Sequence, residues 1–144
     1  VQRNVPSMLS YKIHIDKESS FNTPPVFPIY CILLNLRLIK QEGLDNINEK
    51  NKIKSELIYS EIDRNRCFSG FSEVSDRSQM NATFNLNKGF DGELFNQICI
   101  DNNISGIKGH RSVGGYRASI YNALPLESLN ILVDAMKEFE LSQE

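Results

Sequence analysis

The chain has 144 residues, of which 40% are hydrophobic and 24% are charged, and its formal net charge is -2. This length and composition describe one globular domain with a buried core, and they exclude a disordered or collagen-like chain. A slightly negative chain has no overall positive field to attract nucleic acid, so any anion-binding site has to be local.

The cysteine and hydropathy patterns indicate a cytoplasmic protein. Cys31, Cys67 and Cys99 are odd in number and far apart, which favours a reducing compartment over a disulfide scaffold. The chain has only 2 histidines, so a metal site is not expected. The most apolar run, residues 27–36, is too short to span a bilayer. Because the chain begins at Val1 rather than Met, we expect a fragment of a longer protein.

The first part of the chain predicts a lead-in segment and a long helix. Residues 1–25 have no strong period and end in an Asn-Thr-Pro-Pro sequence, a combination that ends one element and begins another. Apolar residues then recur at helical spacing as far as Gly43, a residue type that favours the position just after a helix. Because this helix is apolar on almost every side, we expect it to be buried on most sides.

Alternating helices and strands are predicted over the rest of the chain. A second helix over residues 45–63 directs Ile53, Leu57, Ile58 and Ile62 inward and its Lys and Glu side chains outward. The predicted strands cover residues 66–72, 80–86, 104–108 and 116–121. The remaining two helices cover residues 91–101, with Leu94, Phe95, Ile98 and Cys99 inward, and the segment from Pro125 onward. We predict an α/β fold in which residues 26–144 form one sheet packed against helices.

The stretch Lys108–Arg117 carries the clearest chemical signal. No Asp or Glu occurs between Asn102 and Leu126, yet this stretch holds Lys108, His110, Arg111, Arg117 and three glycines. Glycine allows close approach of the backbone to a ligand, and the arginine fork matches carboxylate and phosphate oxygens. The stretch therefore predicts a site for a small anion. Two alternatives are solvated surface charges beside a turn and the glycine-rich loop of an RNA-binding KH domain, which the net charge disfavours.

Strand alternation predicts where one of these arginines points. Tyr116, Ala118 and Ile120 share one face of the predicted strand, and Arg117 shares the other face with Ser119. If the first face packs on the core, Arg117 projects from the opposite side, toward a cleft or a partner. The alternative is an edge-strand arginine in water.

Three motifs together resemble one family. Residues 108–123, Lys-Gly-His-Arg-Ser-Val-Gly-Gly-Tyr-Arg-Ala-Ser-Ile-Tyr-Asn-Ala, resemble the C-terminal signature of the phosphoserine aminotransferases, which are class V enzymes that use pyridoxal phosphate (PLP). Residues 21–25, Phe-Asn-Thr-Pro-Pro, and residues 77–81, Arg-Ser-Gln-Met-Asn, resemble two further motifs of that family in the same order. The resemblance covers nearly the whole chain and implies the small C-terminal domain of a fold type I aminotransferase.

The resemblance also implies an activity and a set of site residues. Members of this family form homodimers that transfer an amino group from glutamate to 3-phosphohydroxypyruvate, giving phosphoserine for serine biosynthesis. It implies that Asn22 and Thr23 contact the PLP phosphate of the neighbouring subunit, that His110 and Arg111 bind the substrate phosphate, and that Arg117 pairs with the substrate α-carboxylate. For Asn22 and Thr23 the alternative is a pair that caps the following helix.

Two departures from the family qualify this expectation. The lysine that forms the Schiff base with PLP lies upstream in the family, in a Gln-Lys-Asn context, and that sequence does not occur here. The chain alone is therefore expected to be inactive. Gln79 stands where a basic residue is expected, so no role is assigned to it. The competing hypothesis is a regulatory α/β domain that binds small anions without catalysis.

Overall fold

The structure, a computed structural model, describes residues 5–109 and 114–143. The chain divides into two compact units, Val1–Glu42 and Gly43–Glu144. The boundary that the sequence predicts, after residue 25, remains a prediction. The long helix that begins there buries none of its residues, and all buried residues among those described lie in the second unit.

The first unit contains a short helix and a long one. Helix α1 covers Tyr11–Asp16 and helix α2 covers Val26–Glu42. The sequence predicts α2 correctly but misses α1, a six-residue helix without a side-chain cap or a periodic pattern. The expected burial of α2 is wrong for this chain, since Phe27 is 75% exposed and Leu38 is 60% exposed. A unit this short does not supply enough surface to surround a helix that is apolar on all sides.

The second unit is an antiparallel sheet packed against helices. Its helices are α3 (Leu44–Arg64), α4 (Gly92–Asp101) and α5 (Leu126–Leu141), and its strands are β1 (Phe68–Gly70), β2 (Asn81–Leu86) and β3 (Tyr116–Ser119). The strand order is β1-β2-β3. Residues 104–108, predicted as a strand, form only a single bridge from Lys108 to Tyr116. Gly106 has a φ of +69°, which turns this segment out of the strand conformation.

The core lies between one face of the sheet and the three helices. Phe68 lies at its centre, with ring centroids 5.6 Å from Phe84, 4.9 Å from Phe95 and 5.8 Å from Phe139. The inward positions predicted for Phe95, Ile98 and Cys99 are confirmed. Leu94 was also predicted to face inward, but it is 37% exposed because it lies about 100° around the helix from Phe95.

Two charged residues of α3 correct the prediction that its Lys and Glu side chains point outward. Lys54 is 3% exposed and Glu61 is 5% exposed, whereas Ile53, predicted inward, is 44% exposed. The Glu61 carboxylate accepts hydrogen bonds from Arg64 at 2.7 Å and from Asn65 at 2.9 Å, which compensates for its burial.

None of the helices in the described part of the chain is both long enough and apolar enough to cross a membrane.

Candidate anion site on the polar face of the sheet

The sheet face opposite the core is polar. We call it the polar face, and it carries Ser69, Asn81, Thr83, Asn85, Arg117 and Ser119. Alternation along each strand places these side chains here, because their neighbours Phe68, Ala82, Phe84 and Ala118 are buried on the core side.

Arg117 is the cation of the polar face. It lies directly opposite Thr83 on β2, and its backbone N–H donates to the Ile107 carbonyl at 2.8 Å. The orientation predicted from strand alternation is confirmed, since Ala118 and Ile120 are buried while the Arg117 side chain is exposed. Within residues 5–109 and 114–143, no carboxylate lies within salt-bridge distance of its guanidinium. Its positive charge is therefore available to a ligand.

Arg77 shows the contrasting case of an arginine that the protein itself neutralises. Its guanidinium donates two hydrogen bonds of 2.6 Å to the Asp63 carboxylate and lies 4.6 Å from the Tyr59 ring centroid. These bonds lower the pKa of Asp63 and raise the pKa of Arg77. The motif over residues 77–81 thus begins with a residue that anchors the start of β2 to α3, and Gln79 is exposed.

Glycines close the base of the loop beside Arg117. The Gly109 N–H donates to the Gly115 carbonyl at 2.9 Å, which joins the two ends of the loop. A Cβ atom at Gly115 would lie 2.8 Å from the Phe84 carbonyl oxygen and would also collide with the Asn85 side chain. The close approach of residue 115 to β2 therefore requires glycine. The predicted site residues His110 and Arg111 lie outside the described residues.

A small cavity lies where the polar face meets this loop. It has a volume of about 240 Å³, and its lining includes Arg117, Thr83, Phe71 and Gly109. Most of this lining is apolar, and Arg117 is its one charged residue among those described, so the cavity offers a single guanidinium to a small carboxylate or phosphate.

Asn22 and Thr23 lie in the other compact unit, just before α2, and both are exposed. Neither side chain makes a hydrogen bond within the described ranges, so the capping alternative finds no support there. The first turn of α2 is joined instead to the preceding prolines, with the Ile29 N–H donating to the Pro25 carbonyl at 3.1 Å.

The sequence did not single out two polar residues of α3 that contact the turn after β3, the strand of Arg117. Asn51 and Lys54 are buried on α3 and contact the turn that follows β3. A signal existed for Lys54, because it precedes the buried Ile58 and Ile62 at spacings of four and eight residues on the same helical stripe.

The chain is similar to known aminotransferases in sequence and structure. A model of the class-V aminotransferase family matches residues 3–132. The phosphoserine aminotransferase of Flavobacterium psychrophilum is 56% identical over 139 residues, which cover 96% of this chain and 39% of that protein. The corresponding protein of Azobacteroides pseudotrichonymphae is 52% identical, over 97% of this chain and 40% of its own length.

Solved structures of phosphoserine aminotransferases also resemble the chain. The phosphoserine aminotransferase of Bacillus circulans superposes with a TM-score of 0.86 at 40% identity, over 97% of this chain and 39% of that chain. The PLP-bound enzyme of Trichomonas vaginalis gives a TM-score of 0.80 at 35% identity, over 95% and 40%. The chain thus spans about 40% of the length of these relatives. The α/β fold predicted from the sequence is confirmed, and the chain belongs to the class-V aminotransferase family.

Proposed function

We propose that this chain is the C-terminal, substrate-recognising part of a PLP-dependent phosphoserine aminotransferase. The whole enzyme transfers an amino group from glutamate to 3-phosphohydroxypyruvate. Relatives of that name, with up to 56% identity, support the reaction. The observation that carries the proposal is the Arg117 guanidinium, which projects from the polar face without a carboxylate partner in the described residues.

Arg117 binds the α-carboxylate that glutamate and the phosphorylated keto acid share. The planar guanidinium donates two parallel hydrogen bonds to a carboxylate, and hydrogen bonds to charged groups contribute about 1.5–3 kcal/mol each. The pairing of β3 with β2 fixes the strand from which this side chain projects. His110 and Arg111 bind the substrate phosphate, a role that rests on the motif alone.

The residues present also fit the phosphate end of PLP. Asn22 and Thr23 offer an amide N–H and a hydroxyl, both of which phosphate oxygens accept, and neither group is used within the described residues. When bound, PLP supplies the electron sink for amino transfer. The lysine that carries it belongs to the part of the enzyme outside this chain, so the chain alone transfers no amino group.

The proposal includes a homodimer in a cytoplasmic compartment. Asn22 and Thr23 would contact the PLP phosphate of the neighbouring subunit, and the free state of the cysteines among the described residues fits a reducing environment. The exposed apolar surface of α2 would be covered by the remainder of the enzyme.

A chimera tests the proposed function. This chain replaces the matching segment of the F. psychrophilum enzyme, and amino transfer is measured with glutamate and with 3-phosphohydroxypyruvate. We expect activity in the chimera and a loss of about 10²-fold or more in kcat/KM for both substrates in Arg117→Ala, since two charge-assisted bonds are lost. Arg117→Lys keeps the charge but not the fork, so it recovers only part of the loss.

Lys88→Ala is the matched control, because it removes an exposed cation of the same unit that does not line the cavity beside Arg117. An inactive chimera, together with phosphoserine binding by the chain alone, would favour the non-catalytic anion-binding domain. A defect with only one of the two substrates would contradict the carboxylate role of Arg117.

A further inference from the structure

We propose that Lys54, assisted by Asn51, is a positioning residue that holds the strand carrying Arg117 by tethering the turn that follows it. The inference rests on the proposed function for its effect on the substrate, but the tether itself is a property of this chain.

Within the described residues, the ammonium group of Lys54 bonds to backbone carbonyls alone. It donates to the carbonyl oxygens of Ile120 at 3.1 Å, Tyr121 at 2.7 Å and Leu124 at 3.4 Å. An ammonium has three N–H donors, so these three acceptors use all of them. No carboxylate of the described residues pairs with Lys54.

Removing the Lys54 ammonium from water costs free energy, and an apolar side chain at this position would not have that cost. Burial, and to a smaller extent the charge of Lys50, lowers the pKa of Lys54. An apolar residue at the same place on α3 would remove that cost, but the carbonyl groups of Ile120, Tyr121 and Leu124 would each lose the ammonium donor, and only that of Tyr121 would keep a described backbone donor, the Leu124 N–H.

Asn51 lies three residues before Lys54 on α3 and contacts the same turn after β3. Its amide Nδ2 donates to the Asn122 side-chain oxygen at 2.7 Å. The turn is also closed internally, by the Leu124 N–H bonding to the Tyr121 carbonyl at 2.9 Å. The turn is therefore anchored at Ile120–Tyr121, at Asn122 and at Leu124, always to the same helix.

This anchor matters for Arg117 because β3 is an edge strand. On its outer side β3 bonds to residues 107–109, through the Arg117 N–H to the Ile107 carbonyl at 2.8 Å and through the Gly109 N–H to the Gly115 carbonyl at 2.9 Å, and none of the described backbone bonds on this side lies beyond Arg117. Ile120 is three residues further along, is fully buried, and donates its N–H to the Met80 carbonyl at 2.9 Å. Loss of the tether would release the strand from this end and change the direction from which Arg117 projects.

The first test uses hydrogen exchange in the 144-residue chain and needs no substrate. We compare Lys54→Met with Lys54→Arg, which keeps a cation, and with Lys52→Met. Lys52 is an exposed lysine of α3 whose described ion pair is a 3.9 Å contact with Glu56, and it serves as the control. We expect at least tenfold faster exchange of the Arg117 amide in Lys54→Met, a smaller change in Lys54→Arg and none in Lys52→Met. Equal exchange in all three variants would overturn the tether.

The second test measures kinetics in the chimera. Lys54→Met should raise KM for glutamate and for 3-phosphohydroxypyruvate about tenfold while changing kcat less than threefold. Lys54→Arg should raise the two KM values less than Lys54→Met does. A lower melting temperature with unchanged KM would show a merely structural role and refute the inference. If Lys54→Met does not fold, Asn122→Ala removes one anchor only and should shift both KM values in the same direction.

An inactive parent chimera would refute the proposed function and, with it, the effect of Lys54 on substrate binding. The exchange measurement would still test the tether, because it needs no substrate.

Discussion

Replacement of Gly115 by alanine tests how the loop beside Arg117 is held. Gly115 has a φ of +64°, and a Cβ atom there would lie 2.8 Å from the Phe84 carbonyl oxygen and against the Asn85 side chain. The neighbouring Gly114 has a similar φ of +77°, but no atom of the described residues lies within 4 Å of its Cβ position. The two glycines therefore separate the cost of the backbone conformation from the cost of the collision.

The magnitudes follow from these two contributions. A left-handed conformation costs a residue with a Cβ about 1–2 kcal/mol, so Gly114→Ala should lower the free energy of unfolding by that amount. Gly115→Ala adds an overpacking cost of about 1–3 kcal/mol, because the Phe84 carbonyl belongs to the β2 backbone and cannot move aside easily. We expect Gly115→Ala to be less stable than Gly114→Ala by about 2 kcal/mol.

The assay is urea unfolding of the chain followed by circular dichroism. Asn85→Ala in the Gly115→Ala background should recover part of the loss, since it removes the side-chain collision but not the one with the backbone. Equal destabilisation by the two glycine replacements would refute the close packing of the loop on β2.

Three further predictions concern the core, the ion pair and the cysteines. Phe95 is 0% exposed and lies 4.9 Å from the Phe68 ring, so Phe95→Ala should cost about 3–5 kcal/mol in urea unfolding, and a loss below about 1 kcal/mol would contradict the described core. Arg77 lowers the pKa of Asp63, so this pair stabilises the chain above the unfolded pKa of about 4, and the contribution is lost as pH falls through the lower folded value. The melting temperature of wild type should therefore fall more steeply with acid than that of Arg77→Met, and parallel curves would exclude the pair. Burial raises the pKa of Cys99 to about 11. At pH 8 a thiol reagent should therefore label the partly exposed Cys31 quickly and the buried thiols only after denaturation. Fast labelling of all cysteines would contradict this burial.

Local periodicity predicts much of the second unit. The alternation along β2 and β3 fixes which side chains face the core, and therefore places Arg117 on the opposite face. The stripe on α5 is equally clear, with Leu129, Met136 and Phe139 all buried. These predictions succeed because each depends on the geometry of one element and on the tendency of apolar side chains to leave water.

The errors in the fold have tertiary causes. The charge of Lys54 predicts a position in water, although its place on the α3 stripe points inward, and the carbonyls of Ile120, Tyr121 and Leu124 supply the acceptors that make its burial possible. Residues 104–108 have the composition of a strand, yet the turn at Gly106 limits their pairing to one bridge. The burial of α2 could not be judged from its sequence, because burial depends on surfaces that this unit does not contain.

The candidate site is predictable in part. The absence of acidic residues around Arg117 is visible in the sequence, but a carboxylate from a distant segment could have neutralised it, as Asp63 neutralises Arg77. Only the folded arrangement shows that none of the described carboxylates does so. For Asn22 and Thr23 the described residues provide no hydrogen bond to either side chain, and the PLP-phosphate role stays a prediction.

A crystal structure of the chimera with bound phosphoserine would test the role of Arg117 most directly. The account predicts that both carboxylate oxygens of the ligand accept hydrogen bonds of about 2.8 Å from the Arg117 guanidinium, over the polar face of the sheet. A ligand carboxylate held by other residues, with Arg117 solvated or paired with a protein carboxylate, would contradict it.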